Sequence, residues 1–565
     1  MKLVIVGAVA GGASAAARAR RLCENSEIIL LEKGAEPSFA NCGLPYYVGG
    51  EISSRDSLLV APKQRLIDRY NLDVRTRSLV TSINRSDNSV TVRNLESGET
   101  YIQPYDKLIL STGASPIRPP LPGIDSPRIH TLRDLADADQ LHAVASHGAK
   151  RAVVVGAGFI GIEVAENLRR RSIDVSLVEL GNQILPPWDR EMTRDLESHL
   201  VNQGVDLHLS DSVVSFSDDG QSTTVQLTSG KQIQAGFAVL CVGVTPENGL
   251  AKAAGLEIGQ RGGMITTQSM QTSDPDIYAV GDVVEVTEFV SGRPVQIPLA
   301  GPANRQGRIA ADHLFGRPSQ YRGTQGTAIV GVFGKTAAMT GLSEKMLTRF
   351  GIDYEKVYVH PADHAGYFPG ATKMTLKLIF SPDDGRVLGA QACGTNGVDK
   401  RIDVLSMAIQ GGMTVYDLEE AELCYAPQYG SAKDPVNMAG FVAAGVLRRD
   451  QPIVHADQLC SKPCSESSGP DTVGPSGASG TFLLDVRTPP EYQAGHIDGA
   501  VNIPLESLRS SLRDIPDCEK VIAYCAVGQR GYMATRLLRQ HGLDAYNLSG
   551  GFTSWNQFQS GDSTS

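Results

Sequence analysis

Two glycine-rich turns, each set between an apolar strand and a helix, constrain this chain more than any other feature. The first, Gly7-Ala8-Val9-Ala10-Gly11-Gly12, follows Lys2-Leu3-Val4-Ile5-Val6; the second, Gly156-Ala157-Gly158-Phe159-Ile160-Gly161, follows Val153-Val154-Val155. A βαβ unit that binds a dinucleotide needs one glycine for a tight turn, one where the pyrophosphate approaches, and one where helix packs on strand. The second turn has all three, Gly156, Gly158 and Gly161. The first has Gly7, Gly11 and Gly12 but puts Val9 in the middle place. Each following strand ends in an acid, Glu32 after Ile28-Ile29-Leu30-Leu31 and Glu179 after Val175-Ser176-Leu177-Val178. A carboxylate there accepts from ribose hydroxyls; at Glu179 it would repel a 2′-phosphate and so favours NADH over NADPH. The helix N-termini offer free N–H groups to the phosphates. Two such units imply two bound dinucleotides and an α/β class.

At 565 residues the chain is too long for one core, and three or four domains are expected. The formal net charge of −10 argues against a nucleic-acid partner, so any anionic ligand must be held by a local basic patch. The 9 cysteines (23, 42, 241, 393, 424, 460, 464, 518 and 525) form no regular framework, which suits a reducing cytoplasm better than a disulfide scaffold. Lys2 and the apolar run Leu3 to Ala17 also match a secretory signal. Glu32, closing a second strand, favours strand, turn and helix instead. No other uncharged apolar run approaches the ~20 residues of a membrane helix. A cytoplasmic protein without a membrane segment is the expectation.

Further motifs make the reading specific. Thr112-Gly113-Ala114 follows the strand Leu108-Ile109-Leu110, and Thr272-Ser273-Asp274-Pro275-Asp276-Ile277-Tyr278-Ala279-Val280-Gly281-Asp282 lies downstream. With the two fingerprints these resemble the pyridine nucleotide–disulfide oxidoreductases, from Met1 to about residue 450. The resemblance implies FAD held by Gly7, Gly11, Gly12, Glu32, Thr112, Gly113, Gly281, Asp282 and Ala300, with Asp282 on the ribityl chain. It implies NADH, with NADPH as the alternative donor, on Gly156, Gly158, Gly161 and Glu179. It also implies a C-terminal dimerisation domain and a homodimer.

The branch of the family turns on Cys42, in Ser38-Phe39-Ala40-Asn41-Cys42-Gly43-Leu44-Pro45-Tyr46-Tyr47. A lone cysteine often behaves as a small hydrophobe. Glutathione-reductase-like members carry a second cysteine where this chain has Tyr47. Without it Cys42 must cycle through a mixed disulfide, a persulfide or a sulfenic acid. The stretch resembles the single-cysteine branch of coenzyme A-disulfide reductases, NADH oxidases and NADH peroxidases. Coenzyme A is an anionic nucleotide, and Arg18 and Arg21 share a helix face, with Arg20 off it. The resemblance implies coenzyme A contacts at Ser14, Arg18, Arg21, Ser38, Asn41 and Lys433; a further family lysine falls on Tyr70, beside Arg69. Tyr367, in His360-Pro361-Ala362-Asp363-His364-Ala365-Gly366-Tyr367, and Tyr425, in Cys424-Tyr425-Ala426-Pro427, match segments that reach the other subunit's active site. There they would donate hydrogen bonds to the leaving thiolate. No histidine–glutamate acid/base pair is recognisable near residue 450.

Residues 461–480 are rich in Ser, Gly and Pro, as a linker would be. Cys460 and Cys464 lack a second ligand pair, so no metal site is expected. Beyond them Phe482-Leu483-Leu484-Asp485-Val486-Arg487, Gly495-His496-Ile497 and Cys525-Ala526-Val527-Gly528-Gln529-Arg530 resemble the rhodanese domain. Cys525 lies between strand and helix, where amides and the helix dipole favour a thiolate. The four residues between Cys525 and Arg530 match sulfurtransferases; related phosphatases use five. Cys525 is thus expected to carry sulfane sulfur.

The fold expected is α/β: an FAD domain (1–149 and 275–320), an NAD(P) domain (150–274), both Rossmann-like, an α+β dimerisation domain (321–450), a linker (451–480) and a rhodanese α/β domain (481–562). The activity implied is NAD(P)H-dependent reduction of coenzyme A persulfide, polysulfide or coenzyme A disulfide. Cys42, Cys525, Tyr367, Tyr425 and Arg530 would act in catalysis, the rhodanese domain delivering sulfur. The alternatives are an NADH oxidase or peroxidase working through a Cys42 sulfenate and, more distantly, a redox-signalling sulfur carrier.

Overall fold

The apolar run at the N-terminus folds as the middle strand of a five-stranded parallel sheet, in the order Ile277–Ala279, Lys107–Leu110, Lys2–Val6, Glu27–Leu31 and Asp73–Arg75. Strands buried on both faces read as continuous apolar runs, as Leu3–Val6 and Ile28–Leu31 do. The computed structural model describes residues 1–460 and 480–559. It divides into two units, Met1–Pro186 with Leu200–Gly326, and Pro187–His199 with Thr327–Ser565.

The first unit holds both nucleotide-binding sheets. Helices Ala10–Leu22 and Ala300–Leu314 lie side by side on the first, so close that a methyl on Gly307 would stand 2.3 Å from the Gly11 carbonyl oxygen. The second sheet is also parallel, in the order Val205–His208, Asp174–Val178, Arg151–Val155, Phe237–Leu240 and Ile129–His130. Its seams differ from those read in the sequence. Ile129–His130 already belongs to the second sheet, before residue 150. By Val244–Pro246 the chain has returned, pairing with Ala114–Pro116, well before residue 274. Strands of two or three residues make these seams, and no change of composition marks them.

In the second unit an antiparallel sheet runs Ala328–Val332, Lys335–Gly341, Val387–Gly394, Thr375–Phe380, Glu355–Val359. Residues 187–199, expected in the NAD(P) domain, are part of this unit. Trp188 is fully buried, and the Lys377 ammonium, fully buried too, is ringed by carboxylates of Asp189 at 2.7 Å, Glu191 at 2.5 Å and Glu344. These three acids are the one cluster among the described residues with metal-ligand spacing, and Lys377 supplies its cation.

The C-terminal sheet is parallel, in the order Ile453–Val454, Ala545–Leu548, Lys520–Tyr524, Thr481–Asp485 and Val501–Asn502. Its edge strand lies within the stretch read as linker. Backbone pairing of Ile453 with Asn547 and Val454 with Leu548 commits these residues to the last domain, ahead of helix Ala456–Cys460. The Ser/Gly/Pro-rich remainder with Cys464 lies outside the described residues. This domain docks on the antiparallel sheet: His360 Nε2 meets the Ser554 hydroxyl at 2.9 Å, and Lys356 pairs with Asp457 at 2.8 Å. A histidine–glutamate pair does occur near residue 450, His455 with Glu355 at 2.8 Å, in this joint. No helix among the described residues is long and apolar enough to cross a membrane.

Candidate active site

In both glycine-rich turns the first and last glycines are sterically closed to a side chain. A methyl on Gly12 would stand 1.9 Å from the Gly7 carbonyl oxygen, and one on Gly161 1.8 Å from that of Gly156. Gly7 and Gly156 sit at φ +94° and +100°, where glycine alone is unstrained. Val9 has φ −95°, so the middle place of this turn does not use the left-handed conformation that requires glycine. The two acids are held alike. Glu32 accepts from the amides of Ala8 at 2.8 Å and Gly34 at 2.7 Å, Glu179 from those of Ala157 at 2.7 Å and Gly181 at 2.8 Å. A carboxylate fixed by its own turn presents its remaining lone pairs to a ribose. No atom lies within 4 Å of the side-chain direction of Gly158, leaving room for a pyrophosphate. These donor sets fit an adenine dinucleotide at each of the two parallel sheets of the first unit.

Around the first unit, the Thr112 hydroxyl donates to the Glu247 carbonyl at 2.8 Å, and Gly113 and Gly281 are at φ +74° and +84°. Gly281 donates to Gln306 at 2.7 Å, and Ala300 opens the helix that carries Gln306. Asp282 is paired with Arg133 at 3.2 Å, a partner that sequence reading missed.

Cys42 lies on the short turn Asn41–Gly43 that leads into helix Leu44–Gly49. The turn is pinned: Ser38, at φ +49°, donates to the Ala8 carbonyl at 2.8 Å, and Ala40 donates to that of Leu58 at 2.8 Å. Cys42 is open to solvent on one side. The dense protein on its other side, then the charges of Glu163 and Asp282, push its thiol above the ordinary range. Glu163 was not singled out from sequence. It follows Gly161 by two residues on helix Phe159–Arg170, accepts from the Tyr46 hydroxyl at 3.1 Å, and burial pushes its carboxyl up to about 7. An acid within the mostly apolar run Ile162 to Leu168 of this helix was the available signal. Tyr47 fills the place of a second thiol: its ring stacks on His142 at 4.6 Å and its hydroxyl donates to Asp139 at 3.3 Å.

The residues matched to coenzyme A fall into two groups. On helix Ala10–Leu22, Ser14 hydrogen-bonds Asn304 and Arg18 pairs with Asp312 at 2.6 Å; Arg308 reaches the same carboxylate at 3.9 Å. Arg21 is exposed. Helix Ala300–Leu314 therefore adds Asn304 and Arg308 to this face, and Asp312 occupies part of the Arg18 fork. Arg20 is buried and donates to the backbone carbonyls of Tyr70 and Asn71 at 2.8 Å. Asn41, beside Cys42, donates to the Arg133 carbonyl at 3.3 Å.

The second unit brings together two residues far apart in sequence. The hydroxyls of Tyr367 and Tyr425 are 2.9 Å apart, with the side chains 76% and 48% exposed. Lys433, in the loop of Tyr425, is exposed as well.

Cys525 is buried, 1% exposed, between strand Lys520–Tyr524 and helix Gln529–Gln540. Its carbonyl and that of Ala526 accept from the amides of Phe552 at 2.8 Å and Thr553 at 2.9 Å. Among the described residues no backbone carbonyl outside helices and strands accepts from the amides of residues 526–530, a loop arrangement that suits an anion. Arg530 makes a bidentate pair with Glu491, at 2.6 and 2.8 Å, and that hydrogen bonding holds the Glu491 carboxyl at about 2.

Residues 1–307 match the family model for pyridine nucleotide-disulphide oxidoreductases, 327–434 the dimerisation domain of the same family, and 474–558 the rhodanese-like domain. A coenzyme A disulfide reductase of Staphylococcus haemolyticus is 38% identical over 444 residues, 78% of this chain and 99% of that protein. The crystal structure of reduced Bacillus anthracis CoADR-RHD is 45% identical, covers 98% of both chains and superimposes with a TM-score of 0.93. The NAD-dependent persulfide reductase of A. fulgidus is 35% identical over 98% of this chain and 100% of its own, with a TM-score of 0.89. The chain belongs to the pyridine nucleotide–disulfide oxidoreductase family, with a dimerisation domain and a C-terminal rhodanese-like domain.

Proposed function

We propose that this enzyme is an NADH-dependent reductase of coenzyme A disulfide and coenzyme A persulfide, acting as a homodimer in the cytoplasm. The observation that carries the reading is the single thiol of Cys42, with Tyr47 tied to His142 and Asp139 where a second thiol would stand. The relatives named for these substrates, and the rhodanese-like domain, favour sulfur over oxygen as the electron acceptor. The cytoplasm is favoured because Cys23, Cys42, Cys241, Cys393, Cys424, Cys518 and Cys525 are free thiols. The dimerisation domain supports the homodimer.

Bound FAD and NADH supply a two-electron path to sulfur. On the protein side, the Cys42 thiolate attacks the sulfur attached to coenzyme A. This forms a Cys42–coenzyme A disulfide and expels coenzyme A thiolate from the disulfide, or hydrosulfide from the persulfide. Two electrons and a proton then restore the Cys42 thiolate and release coenzyme A thiol. Tyr367 and Tyr425 of the partner subunit donate hydrogen bonds to the leaving sulfur. Ser14, Arg18, Arg21, Asn304 and Arg308 hold the nucleotide end, Ser38 and Asn41 the pantetheine end, and Lys433 adds a cation. Glu179 selects NADH by repelling a 2′-phosphate. Cys525, cradled by the loop amides and Arg530, carries sulfane sulfur as a persulfide and passes it to coenzyme A.

The test compares NADH oxidation in air without a sulfur substrate with anaerobic oxidation on coenzyme A disulfide. The reading requires fast turnover in the second assay, abolished in Cys42→Ser. Fast turnover only in air would make the protein an oxidase.

A further inference from the structure

We propose that Arg401 is the positioning residue of the Tyr367–Tyr425 pair: one buried guanidinium ties down the two loops that carry these phenols and so fixes their common reach. The inference rests on the reading that the pair serves the leaving thiolate.

Arg401 lies on helix Val398–Gln410 and is 1% exposed. A guanidinium so buried must spend its donors on fixed acceptors. Nε and Nη2 make a bidentate pair with Asp434 at 3.2 and 2.8 Å, and Nη2 also donates to the Asp363 carbonyl at 2.8 Å. Asp363 stands four residues before Tyr367, and Asp434 ends the loop of Tyr425 and caps helix Pro435–Leu447. Arg401 therefore holds the root of one loop and the end of the other.

Each root is itself braced. The Asp363 carboxylate accepts from the Thr372 amide at 2.6 Å and pairs with His364 at 2.8 Å. Asp434 accepts from the Val436 amide at 3.1 Å. Midway between root and tip, the Ala365 amide donates to the Gly430 carbonyl at 3.0 Å. At the exposed tips the phenols meet at 2.9 Å. One exposed hydrogen bond is worth about 1 kcal/mol and could not by itself hold two loops in register. The shared anchor beneath does. Arginine suits the place because its planar fork meets both oxygens of Asp434 while the same guanidinium reaches the Asp363 carbonyl, a bidentate geometry that a lysine ammonium does not offer. Gly397 makes room: at φ +66°, a methyl there would stand 2.2 Å from Arg401 Nη1.

The experiment measures coenzyme A disulfide turnover by the FAD-loaded dimer in two backgrounds, wild type and Tyr367→Phe/Tyr425→Phe, each with and without Arg401→Lys. The expected result is a roughly 10-fold or greater loss of kcat from Arg401→Lys in the wild-type background and less than about 2-fold in the tyrosine-free one, because residues acting as one unit are not additive. Asp434→Asn, which keeps the helix cap and weakens the same fork, should give the same pattern, and it carries the test if Arg401→Lys fails to bind FAD. Equal fold losses in both backgrounds would overturn the inference, leaving Arg401 and Asp434 as parts of the framework. Wild-type kcat in Tyr367→Phe/Tyr425→Phe would instead overturn the role of the tyrosines, and the inference with it.

Discussion

The hydroxyls of Tyr367 and Tyr425, 58 residues apart in the chain, meet at 2.9 Å on the surface of the second unit. Each phenol has one proton, so in the pair one donates to the other and the second proton stays free for a ligand. The hydrogen bond that Tyr367 donates to Tyr425, followed by burial and the neighbouring phenol's charge, raises the Tyr367 pKa above the ordinary value. Tyr367 therefore keeps its proton throughout the neutral range. Replacing either tyrosine by phenylalanine should lower kcat on coenzyme A disulfide by roughly 10- to 100-fold, the range for hydrogen bonds to a charged group. The wild-type profile should show no fall from ionisation of Tyr367 below about pH 10. Steady-state kinetics against pH tests both.

Glu163 imposes a pH dependence of its own. Burial raises its carboxyl from 4.5 to about 7. The unfolded chain thus loses this proton before the folded one does, and the cost to the fold, absent below pH 4.5, grows as pH rises to 7. Glu163→Gln removes the cost: its melting temperature should exceed that of wild type at pH 8 and match it near pH 4.5. The same change deletes one of the charges that raise the Cys42 thiol. Alkylation of Cys42 by iodoacetamide should then begin at lower pH than in wild type.

Much of the nucleotide-binding architecture was legible because it is local. Gly7, Gly12, Gly156 and Gly161 announce turn positions that no side chain can enter, and Glu32 and Glu179 sit one strand away. Tyr47 at the second-thiol place is equally plain. What escaped reading is set by tertiary partners. Asn304 and Asp312 come to Ser14 and Arg18 from helix Ala300–Leu314, 290 and 294 residues away in the chain. The segment with Trp188 and Asp189 joins the second unit because its carboxylates are needed around Lys377. The strand Ile453–Val454 has no pattern of its own beyond two apolar residues, and it is fixed by its partner Ala545–Leu548. Arg401 looks like any cation on a helix until its burial is seen.

Lys377 governs the stability of the second unit. Burial alone would raise the Glu344 carboxyl, but the Lys377 and Lys356 ammoniums outweigh it and hold it at about 2. That stabilisation is complete above pH 4.5 and is lost as pH falls toward 2. Lys377→Met leaves buried carboxylates uncompensated and should cost about 3–5 kcal/mol. In the variant those carboxylates are relieved by protonation, so its deficit in melting temperature against wild type should be larger at pH 8 than at pH 5. Calorimetry at the two pH values decides this.

Glu179 is held by the amides of Ala157 and Gly181, and under the proposed function its carboxylate accepts from the ribose of NADH. Glu179→Ala removes both the acceptor for the 2′-hydroxyl and the repulsion of a 2′-phosphate. The ratio of kcat/KM for NADH to that for NADPH should fall by roughly 10-fold or more, in line with ~1.5–3 kcal/mol for a hydrogen bond to a charged group. An unchanged ratio would place nucleotide selection elsewhere.

In the proposed reaction Cys42 reduces sulfur bound to coenzyme A. This step is tested most directly by following NADH oxidation and sulfide release together, without oxygen, on coenzyme A persulfide. Wild type should release one sulfide per NADH, Cys42→Ser none, and Cys525→Ser should match wild type because the persulfide is already formed. Absence of sulfide from wild type, with NADH consumed only once air is admitted, would contradict the account.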